Sequence, residues 1–291
     1  MFRTTLTLFL LLIVLIGCRK TEGTSPRIVP LNDEPFVQDL PPGALRTHYL
    51  IDYESLFDQE TLFATLGHLL VFNPGKQDSE LHITMYFEDR GPQTFSFVAL
   101  AKKSRETNYM SWPIKPGTRF ALKVESSEPI ICQATIGWMN AGNDWTLGAR
   151  TKSSREVREV AKSYMAINQL SREWYVADGI VINRPGKLWI KESEWAVILN
   201  PGGQDARVKL LLYYGEKIDV YEVSVPAKRM KRVFMDDLAT PNRHYGVRFL
   251  SDQLIAAQWL RAVNWYDSPE LMTFWSVPGV PRPDLSREKG H

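Results

Sequence analysis

The chain contains two copies of one sequence segment, and this repeat constrains its fold more than any other feature. The run from His68 to Asp78 aligns with the run from Trp195 to Asp205, and both end in Asn-Pro-Gly-x-Gln-Asp after an apolar stretch. Because several matches in one order are not expected by chance, the sequence predicts a tandem duplication of one domain. The other matching segments follow at a nearly constant offset: Leu81–Phe87 with Val208–Tyr214, Thr94–Val98 with Val220–Ser224, Ala101–Lys103 with Ala227–Arg229, and Ile130–Gln133 with Ile255–Gln258.

Each copy has the pattern of short β-strands. Val208 to Tyr214 and Tyr221 to Val225 are rich in β-branched and aromatic residues, and the second alternates apolar and polar residues with a period of two. Asn-Pro-Gly-Gly precedes the first of these segments and is typical of a turn, because proline fixes φ and glycine accepts a positive φ. Such segments recur at roughly ten-residue spacing. The sequence therefore predicts an all-β chain of two tandem β-sandwich or jelly-roll domains.

The segment between the copies departs from this pattern and predicts a helix. Ser153-Ser154-Arg155-Glu156 resembles a helix capping box, and Val157, Val160, Ala161 and Tyr164 follow at helical spacing. We therefore expect a short connecting helix over about residues 154–168. The predicted organisation is a first domain at 44–148, a helical linker at 149–171, a second domain at 172–277 and a flexible tail at 278–291.

The N-terminus has the pattern of a bacterial secretion signal. Arg3 supplies a positive charge, and Leu6 to Ile16 is almost entirely apolar. This run is shorter than the ~20 residues that a membrane-spanning helix needs, so we interpret residues 1–17 as a signal peptide. Leu15-Ile16-Gly17-Cys18 resembles the lipobox of bacterial lipoproteins, which implies cleavage before Cys18 and acylation of its thiol. The alternative is an ordinary secretory signal followed by a chance cysteine.

The lipobox resemblance implies a location in the bacterial cell envelope. Acyl chains such as palmitate contribute roughly 0.8 kcal/mol per buried methylene, so two or more would hold the chain on a bilayer. Arg19 follows the cysteine, which leaves both the outer membrane and the periplasmic face of the inner membrane open. Residues 18–43 are polar and proline-rich, and we interpret them as a flexible tether behind the lipidated Cys18.

Charge and cysteine content exclude several kinds of partner and site. The chain has 35 Lys and Arg against 33 Asp and Glu, so we expect no nucleic-acid partner. Cys18 and Cys132 are the two cysteines. If Cys18 is acylated, the mature chain has neither a disulfide nor a cysteine-based metal site. Cys132 lies in an apolar strand-like run and is expected to be a buried thiol.

The sequence gives little support for catalysis. It contains no Gly-x-Ser-x-Gly elbow, no His-Glu-x-x-His motif and no phosphate-binding Walker loop. Asp236 and Asp237 with His244 match no known pattern of metal ligands. Asp178 and Glu194 could in principle form the paired carboxylates of a glycosidase. We nevertheless expect a protein that is not an enzyme and that holds no cofactor and no metal.

The second copy carries a series of motifs between about residues 172 and 267. They are Trp174–Gly179, Glu194, Val197–Asn200, Leu212–Tyr214, Val225–Val233, Asp236–Leu238, and Gln258 with Arg261. In their order and spacing these motifs resemble the Anabaena sensory rhodopsin transducer family. The resemblance implies a β-sandwich or jelly-roll domain that assembles into oligomers and is not established as an enzyme. It also implies binding of a small molecule, with sugars or related metabolites as the suspected ligands.

Comparison of the two copies predicts a single working site, in residues 172–267. The apolar strands and the Asn-Pro-Gly turn persist in both copies, whereas several polar residues occur only in the second. Glu194 aligns with Gly67, and Arg261 aligns with Ile136. Our hypothesis is that the first copy is a degenerate domain retained for packing. Further differences of this kind are Trp174 aligned with His48, Gly179 with Tyr53 and Arg229 with Lys103.

The polar residues of the second copy suggest how a ligand would be recognised. A guanidinium group offers a planar fork to carboxylates, phosphates or vicinal hydroxyls, and carboxylates accept hydroxyl protons. Tryptophan can stack on the apolar face of a sugar ring. The alternative is an internal arginine–carboxylate pair that bridges the sheets or a subunit interface. The candidate ligand-binding residues are Trp174, Asp178, Glu194, Tyr213, Arg229, Gln258, Trp259 and Arg261.

Some of these candidates have a strong structural alternative. Tyr213 and Tyr214 must point to opposite faces of one strand, so at most one of them can serve a site. Gln258 has a counterpart in Gln133, which favours a structural hydrogen bond.

Two hypotheses of function follow. In the first, an envelope-tethered protein captures a small polar, carbohydrate-like ligand through its second domain. In the second, the chain is a structural subunit that scaffolds an envelope assembly. An open position of Arg229 and Arg261 favours the first hypothesis, and a paired, buried position favours the second. A fused pair of domains supplies two subunits of a symmetric assembly, so we expect a monomer or a homodimer.

Overall fold

The computed structural model describes two β domains that follow each other in the chain. The predicted signal peptide, lipidated cysteine and tether lie outside the described residues. Within those residues, no helix has the length and apolar character needed to cross a bilayer. The described residues are 44–55, 57–58, 63–108, 112, 114, 118–140, 159–184, 190–265 and 272–282.

Each domain is built almost entirely of antiparallel strands. The first domain contains β1 (Leu45–Ser55), β2 (Phe57–Asp58), β3 (Phe63–Asn73), β4 (Ser79–Phe87), β5 (Gln93–Ala99), β6 (Lys103–Asn108), β7 (Thr118–Asn140) and β8 (Glu159–Met165). The second contains β9 (Ser171–Ile180), β10 (Ile182–Arg184), β11 (Ile190–Asn200), β12 (Ala206–Tyr214), β13 (Lys217–Val225), β14 (Arg229–Phe234), a 3₁₀ turn (Met235–Asp237), β15 (His244–Trp265), β16 (Met272–Pro278) and β17 (Val280–Pro281).

One long strand in each domain belongs to both of its sheets. The first half of β7 pairs with β4 and β1, and its second half pairs with β3 and β8. We call these sheet A (β5, β4, β7, β1) and sheet B (β6, β3, β7, β8). Sheet C (β13, β12, β15, β9, β17) and sheet D (β14, β11, β15, β16) repeat this arrangement around β15. The curled sheets confirm the predicted fold of two tandem β domains.

Alternating burial along the strands explains why the sheets close over a core. In β12, Val208, Leu210 and Leu212 are buried, while the intervening Arg207 and Lys209 are exposed. A strand directs successive side chains to opposite faces, so this pattern places one apolar face inward. The core of each domain is formed by such inward faces from both of its sheets.

The strand registers confirm the duplication residue by residue. Leu199 lies opposite Ala256 in sheet D, as Phe72 lies opposite Ile131 in sheet B. All four positions match in the sequence alignment of the two copies. The repeat is therefore one fold with one register, built twice.

The repeated Asn-Pro-Gly motif is a turn, as the sequence predicts, and the structure shows in addition that its asparagine side chain is hydrogen-bonded. The side-chain amide of Asn200 donates to the carbonyl oxygens of Gln204 at 2.8 Å and Val225 at 3.0 Å, and its oxygen accepts from the Gly202 amide. Asn73 makes the corresponding bonds in the first copy. Because Asn73 and Asn200 are fully buried, each satisfies backbone groups that would otherwise lack partners.

The predicted connecting helix is wrong over the residues that the structure describes. Residues 159–165 form strand β8, which pairs with β7 so that Val160 lies opposite Trp138 and Tyr164 opposite Ala134. Tyr164 is buried in the first-domain core. The helical spacing of apolar residues was a local signal, and pairing with an open sheet edge outweighs it. Residues 149–158 of the predicted linker lie outside the described part.

The second domain extends beyond its predicted boundary at residue 277. Val280 and Pro281 form β17, in which Val280 lies opposite Tyr175. The Gly279 amide donates to the carbonyl of Ala257 at 3.0 Å, just as Ala166 donates to Cys132 in the first domain. Residues 278–282 therefore complete the second domain in the way that residues 165–168 complete the first.

The two domains share one cluster of buried side chains. Leu50, Met85 and Leu122 of sheet A point into the first-domain core. The side chains on the opposite face of sheet A are instead buried in one cluster with the core of the second domain. Strands β1 and β4 of sheet A lie against β11, β14 and β15 of the second domain. The residues of sheet A that enter the shared cluster are Tyr49, Ile51, Tyr86 and Ala121.

Candidate functional site

A carboxylate lies at the centre of the second domain. Glu194, on the inner face of β11, is fully buried. Its Oε2 accepts hydrogen bonds from the Ile180 amide at 2.9 Å and the Tyr245 hydroxyl at 2.5 Å. Its Oε1 accepts from Nε1 of Trp259 at 3.1 Å and Nε of Arg261 at 2.7 Å. Both oxygens are therefore held by donors of the protein itself.

The neighbouring backbone is held by the 3₁₀ turn at residues 235–237. Asp236 accepts a hydrogen bond from the Ser193 hydroxyl at 2.7 Å and another from the Glu194 amide at 3.1 Å. These two bonds connect the turn to β11. Asp236 thus helps to position Glu194 without contacting its carboxylate.

Arg261 connects the buried carboxylate to the surface. Its Nη1 donates to Oδ2 of Asp178 at 3.2 Å, and its Nη2 donates to the Asp178 carbonyl at 3.0 Å. Burial lowers the pKa of Arg261, but the charges of Glu194 and Asp178 more than offset this and raise it. The guanidinium therefore remains charged between two carboxylates.

Tyr245 completes the packing around Glu194. Burial raises the pKa of Tyr245, and the adjacent Glu194 charge raises it further, so its hydroxyl remains a hydrogen-bond donor. Gly179 lies opposite Tyr245 across the sheet. A Cβ at Gly179 would lie 2.5 Å from Cε2 of the Tyr245 ring, so only glycine leaves room for the tyrosine. We call Glu194, Tyr245, Trp259, Arg261 and Asp178 the Glu194 network.

The network opens to solvent at one end. The side chain of Asp178 is 69% exposed, whereas that of Arg261 is 16% exposed. Exposed His244 places its Nδ1 3.8 Å from Oδ1 of Asp178. Asp178, His244 and the edge of Arg261 thus form a polar rim. This rim is the part of the network that a solute can reach.

The two tryptophan candidates lie in the core. Trp174 is fully buried, and its Nε1 donates to the carbonyls of Ser171 at 3.1 Å and Ile255 at 3.0 Å. Trp259 donates to Glu194 and packs edge-on against the ring of Phe249. Neither indole offers a free face for stacking on a sugar ring, because both are almost wholly buried.

Three other candidates lie away from the network. Tyr213 is on the outer face of sheet C, beside Arg248, to which it is hydrogen-bonded. Arg229 donates to the Lys228 carbonyl at 3.0 Å, at the start of β14. Gln258 is buried on the outer face of sheet D. As predicted, Tyr214 points the other way from Tyr213: it is buried, with its ring 5.4 Å from that of Tyr245.

Sequence reasoning missed two members of this site. Tyr245 was absent from the candidates, and His244 was considered only as a metal ligand. Tyr245 aligns with Phe120, and this difference between the copies was available as a signal. The combination of Asp236, Asp237 and His244 forms no metal site, because Asp236 bonds to β11 while His244 faces Asp178. Among the described residues, no group of three or more His, Cys, Asp or Glu side chains could hold a metal ion.

A second ionic cluster lies on the outer face of sheet C. Glu173 accepts hydrogen bonds from the Tyr175 hydroxyl, from Nε of Arg248 at 2.6 Å and from Nη1 of Arg282 at 3.1 Å. The Tyr175 hydrogen bond lowers the pKa of Glu173; burial opposes this shift, and the two arginines add to it. The cluster attaches the end of the second domain, through Arg282, to β9.

The first domain fills the equivalent space with apolar groups. Gly67 and Ile136 lie opposite each other in sheet B, as Glu194 and Arg261 do in sheet D. Phe120 and Ala134 stand where the second domain has Tyr245 and Trp259. His48 replaces Trp174, and its Nε2 lies 2.9 Å from the carbonyls of both Leu45 and Ile130. The buried residues of this apolar replacement are Gly67, Phe120, Ala134 and Ile136.

Cys132 also belongs to this apolar core. The thiol is buried and unpaired, as the sequence predicts, and burial raises its pKa. A thiol that stays protonated is a poor nucleophile and a poor metal ligand.

Comparison with known proteins identifies related domains in both halves of the chain. A family model described as Anabaena sensory rhodopsin transducer matches residues 54–141 and 170–276, which together exceed half of the chain. The solved structure of the Anabaena sensory rhodopsin transducer is 26% identical over 30% of this chain and 91% of its own, with a TM-score of 0.26. The structure of Thermotoga maritima 1070 is 17% identical over 43% of this chain and 94% of its own, with a TM-score of 0.33. A search among curated proteins found no match.

Proposed function

This chain belongs to the Anabaena sensory rhodopsin transducer family, with one family domain in each half, and on that basis we propose that its second domain binds a small polar ligand. The proposed binding surface is the rim formed by Asp178, His244 and Arg261. The proposed ligand has carbohydrate-like chemistry, with vicinal hydroxyl groups. In this proposal the protein is a binding module of the bacterial envelope, without catalytic activity.

One observation carries the proposal: the fold does not need the Glu194 network. The first domain has the same strands and register, yet apolar residues occupy the equivalent positions. Replacing a buried ion pair with apolar residues is often neutral or stabilising, because burial of charge carries a large desolvation cost. A charged network retained where an apolar core suffices therefore supports a functional role for these residues.

The exposure gradient along the network suggests how recognition would work. The contact of Arg261 with exposed Asp178 contributes little to stability, because solvent screens it. A ligand oxygen can therefore take a share of the Arg261 Nη donors, while Asp178 accepts a hydrogen bond from a ligand hydroxyl. Buried Glu194 would act as a positioning residue that holds the guanidinium in one orientation.

The membrane anchor is a separate part of the proposal. We propose that acylated Cys18 holds the chain on the bilayer, at the outer membrane or the periplasmic face of the inner membrane. The lipobox-like Leu15-Ile16-Gly17-Cys18 supports this. Growth of the expressing bacterium with a labelled fatty acid should label the wild-type protein but not Cys18→Ala. Incorporation of label into Cys18→Ala would contradict the proposed anchor.

A thermal-shift screen tests ligand binding directly. The mature chain carrying Cys18→Ala would be screened against monosaccharides, sugar acids, oligosaccharides and nucleosides. A ligand at a hundred times its Kd stabilises the folded state by about 2.7 kcal/mol and raises the melting temperature. Asp178→Asn should abolish this shift without lowering the melting temperature of the free protein, because Asp178 is largely exposed.

The first copy supplies a matched control. Asp52 aligns with Asp178, so Asp52→Asn makes the same chemical change in the domain that lacks the network. We expect Asp52→Asn to bind the ligand as the unmodified chain does. A shift that survives Asp178→Asn but disappears in Asp52→Asn would place the site in the first domain.

The second candidate function is a structural subunit of an envelope assembly. The observation that favours it is the pairing of Arg261, whose guanidinium bonds to Glu194 and Asp178. The core positions of Trp174 and Trp259 agree with this view. A flat ligand screen, together with a lowered melting temperature in Asp178→Asn, would make the structural subunit the better account.

A further inference from the structure

Sheet C presents a broad apolar face to solvent. The strand register places Val220, Leu211, Arg248, Tyr175 and Val280 in one row that crosses all five strands of the sheet. Residues directly opposite each other in a sheet project from the same face, so the row lies together on the outer side. Val220 is 58% exposed, Tyr175 is 40% exposed and Val280 is 64% exposed. Single exposed apolar residues are ordinary, but a contiguous apolar patch is typical of a surface that contacts another apolar body.

The face is amphipathic along its strands. On one side of the row, Ile218, which is 48% exposed, lies opposite Tyr213 and extends the apolar patch. On the other side, Lys209 lies opposite Glu222, and the exposed Arg207 follows. The patch is therefore apolar and aromatic at one end and bounded by charged side chains at the other.

The exposed face of sheet C is more apolar than its copy in sheet A. Sheet A packs against the second domain, which buries Tyr49 and Tyr86 of its outer face. Solvent contact would favour polar residues on sheet C and apolar ones on sheet A, yet three positions show the reverse. This reversal indicates that the outer face of sheet C has an apolar environment of its own. The residues concerned are Leu211, Val220 and Leu250 in sheet C, which correspond to Thr84, Thr94 and Glu125 in sheet A.

The ionic cluster at Glu173 gives one end of the row a positive charge. Arg248 and Arg282 both donate to the Glu173 carboxylate, so two cations surround one anion. The side chain of Arg282 is 60% exposed, so its guanidinium can also reach a group outside the protein. A planar guanidinium is well suited to a phosphate, which offers it two oxygens.

We propose that the outer face of sheet C lies on the surface of an anionic phospholipid bilayer. In this arrangement Val220, Ile218, Tyr175 and Val280 enter the headgroup region, and Arg282 pairs with a lipid phosphate. The inference rests on the envelope location and the lipid anchor proposed above. It adds a second, non-covalent contact that fixes which side of the second domain faces the membrane.

The composition of the face fits a bilayer surface. Tyrosine is enriched where a bilayer meets water, because its ring is apolar and its hydroxyl is polar. Arginine can bury its aliphatic stem along apolar surface while its charged group stays among the headgroups. The backbone groups of the inner strands already pair within the sheet, so contact with lipid leaves none of them without a partner.

The proposed anchor explains why a modest patch is sufficient. Residues 18–43 form a tether of ~25 residues, which reaches roughly 80 Å when fully extended. A tethered face meets the bilayer at a high effective concentration, so a contact that is weak in free solution still forms.

Binding to vesicles tests the proposal without the anchor. The mature chain carrying Cys18→Ala would be sedimented with vesicles of phosphatidylethanolamine and phosphatidylglycerol, and with vesicles of phosphatidylcholine. We expect stronger binding to the anionic vesicles. Val220→Asp and Val280→Asp should each weaken this binding about tenfold, because one aliphatic side chain no longer leaves water. Val98→Asp is the matched control: Val98 is 42% exposed on edge strand β5 of the first domain, and its replacement should not affect binding.

A fluorescent label reports directly on the proposed contact. Val220→Cys and Val98→Cys would each be coupled to an environment-sensitive dye, while buried Cys132 stays unmodified in the folded chain. Only the dye at position 220 should shift to shorter wavelength with anionic vesicles and be quenched by lipids with brominated acyl chains. An unshifted dye at position 220, equal binding to both vesicle types, or equal weakening by Val98→Asp would overturn the proposal.

Two other outcomes separate this proposal from its neighbours. If Val220→Asp and Val280→Asp change the mass of the free chain in light scattering but leave vesicle binding unchanged, the face contacts protein and the proposal is wrong. Because the Cys18→Ala chain carries no acyl group, failure to bind vesicles is distinct from failure of the fatty-acid labelling that tests the anchor. Vesicle binding by this chain would support the sheet C contact even if that labelling failed.

Discussion

Replacing Arg261 with methionine should destabilise the second domain by about 3–5 kcal/mol. Methionine retains much of the aliphatic length of arginine but removes the positive charge beside fully buried Glu194. The carboxylate would keep neutral donors from Ile180, Tyr245 and Trp259 and lose its charged donor at 2.7 Å. Destabilisation follows because a buried ion that loses its counter-ion retains its full desolvation cost.

A second variant separates the cost of the unpaired Glu194 charge from the cost of packing a different side chain at position 261. Glu194→Gln in the Arg261→Met background removes the uncompensated charge, while the amide oxygen still accepts hydrogen bonds. The double variant should therefore be more stable than Arg261→Met alone by about 1–3 kcal/mol. Ile136→Val in the first domain is the positional control, because Ile136 corresponds to Arg261. Ile136→Val should lower the free energy of unfolding by only about 0.5–1.5 kcal/mol.

Urea denaturation followed by tryptophan fluorescence measures these differences. Six of the nine tryptophans follow residue 170, so the signal reports mainly on the second domain. The reasoning fails if Arg261→Met costs less than about 1 kcal/mol, since the pair would then contribute no more than an exposed ion pair. It also fails if the double variant is less stable than the single one.

Three further predictions address the packing and the second ionic cluster. Gly179→Ala should destabilise the protein by about 1–3 kcal/mol, measured by urea denaturation, because its Cβ would collide with the Tyr245 ring. Asn200→Ala should cost about 1–3 kcal/mol in the same assay, because the buried carbonyl of Val225 loses a donor. The pKa of Glu173 is lowered, so its contacts stabilise the fold above the ordinary carboxyl range and this stability is lost as pH falls through the lowered pKa. Melting temperatures below pH 4.5 should consequently fall more steeply for the wild type than for Glu173→Gln.

Much of the candidate site was predictable because the two copies could be compared. Glu194 and Arg261 differ from Gly67 and Ile136, and the structure places both pairs at the same point of the sheet. The sequence analysis also gave an alternative to ligand binding, in which Arg261 and a carboxylate form an ion pair inside the protein. It did not identify Tyr245, because a tyrosine in place of Phe120 reads as an ordinary core substitution until its hydroxyl is seen to bond to Glu194.

The tryptophan and helix predictions show where local patterns were insufficient. Trp174 was a plausible stacking residue, yet its indole connects two backbone carbonyls inside the core, and His48 does the same in the first copy. Residues 159–165 had helical spacing and formed a strand. In each case the deciding partner lies far away in the sequence, so no local pattern contains it.

The sequence by itself determined the duplication, the all-β class, the Asn-Pro-Gly turns and the position of the polar differences between the copies. These follow from residue periodicity and from backbone preferences of proline and glycine, which act over a few residues. Only the tertiary structure decided which polar groups meet, that β8 completes the first domain, and that sheet A is covered while sheet C is exposed. The physical reason is that burial and hydrogen-bond pairing depend on contacts between residues distant in the chain, such as Asp178 and Arg261.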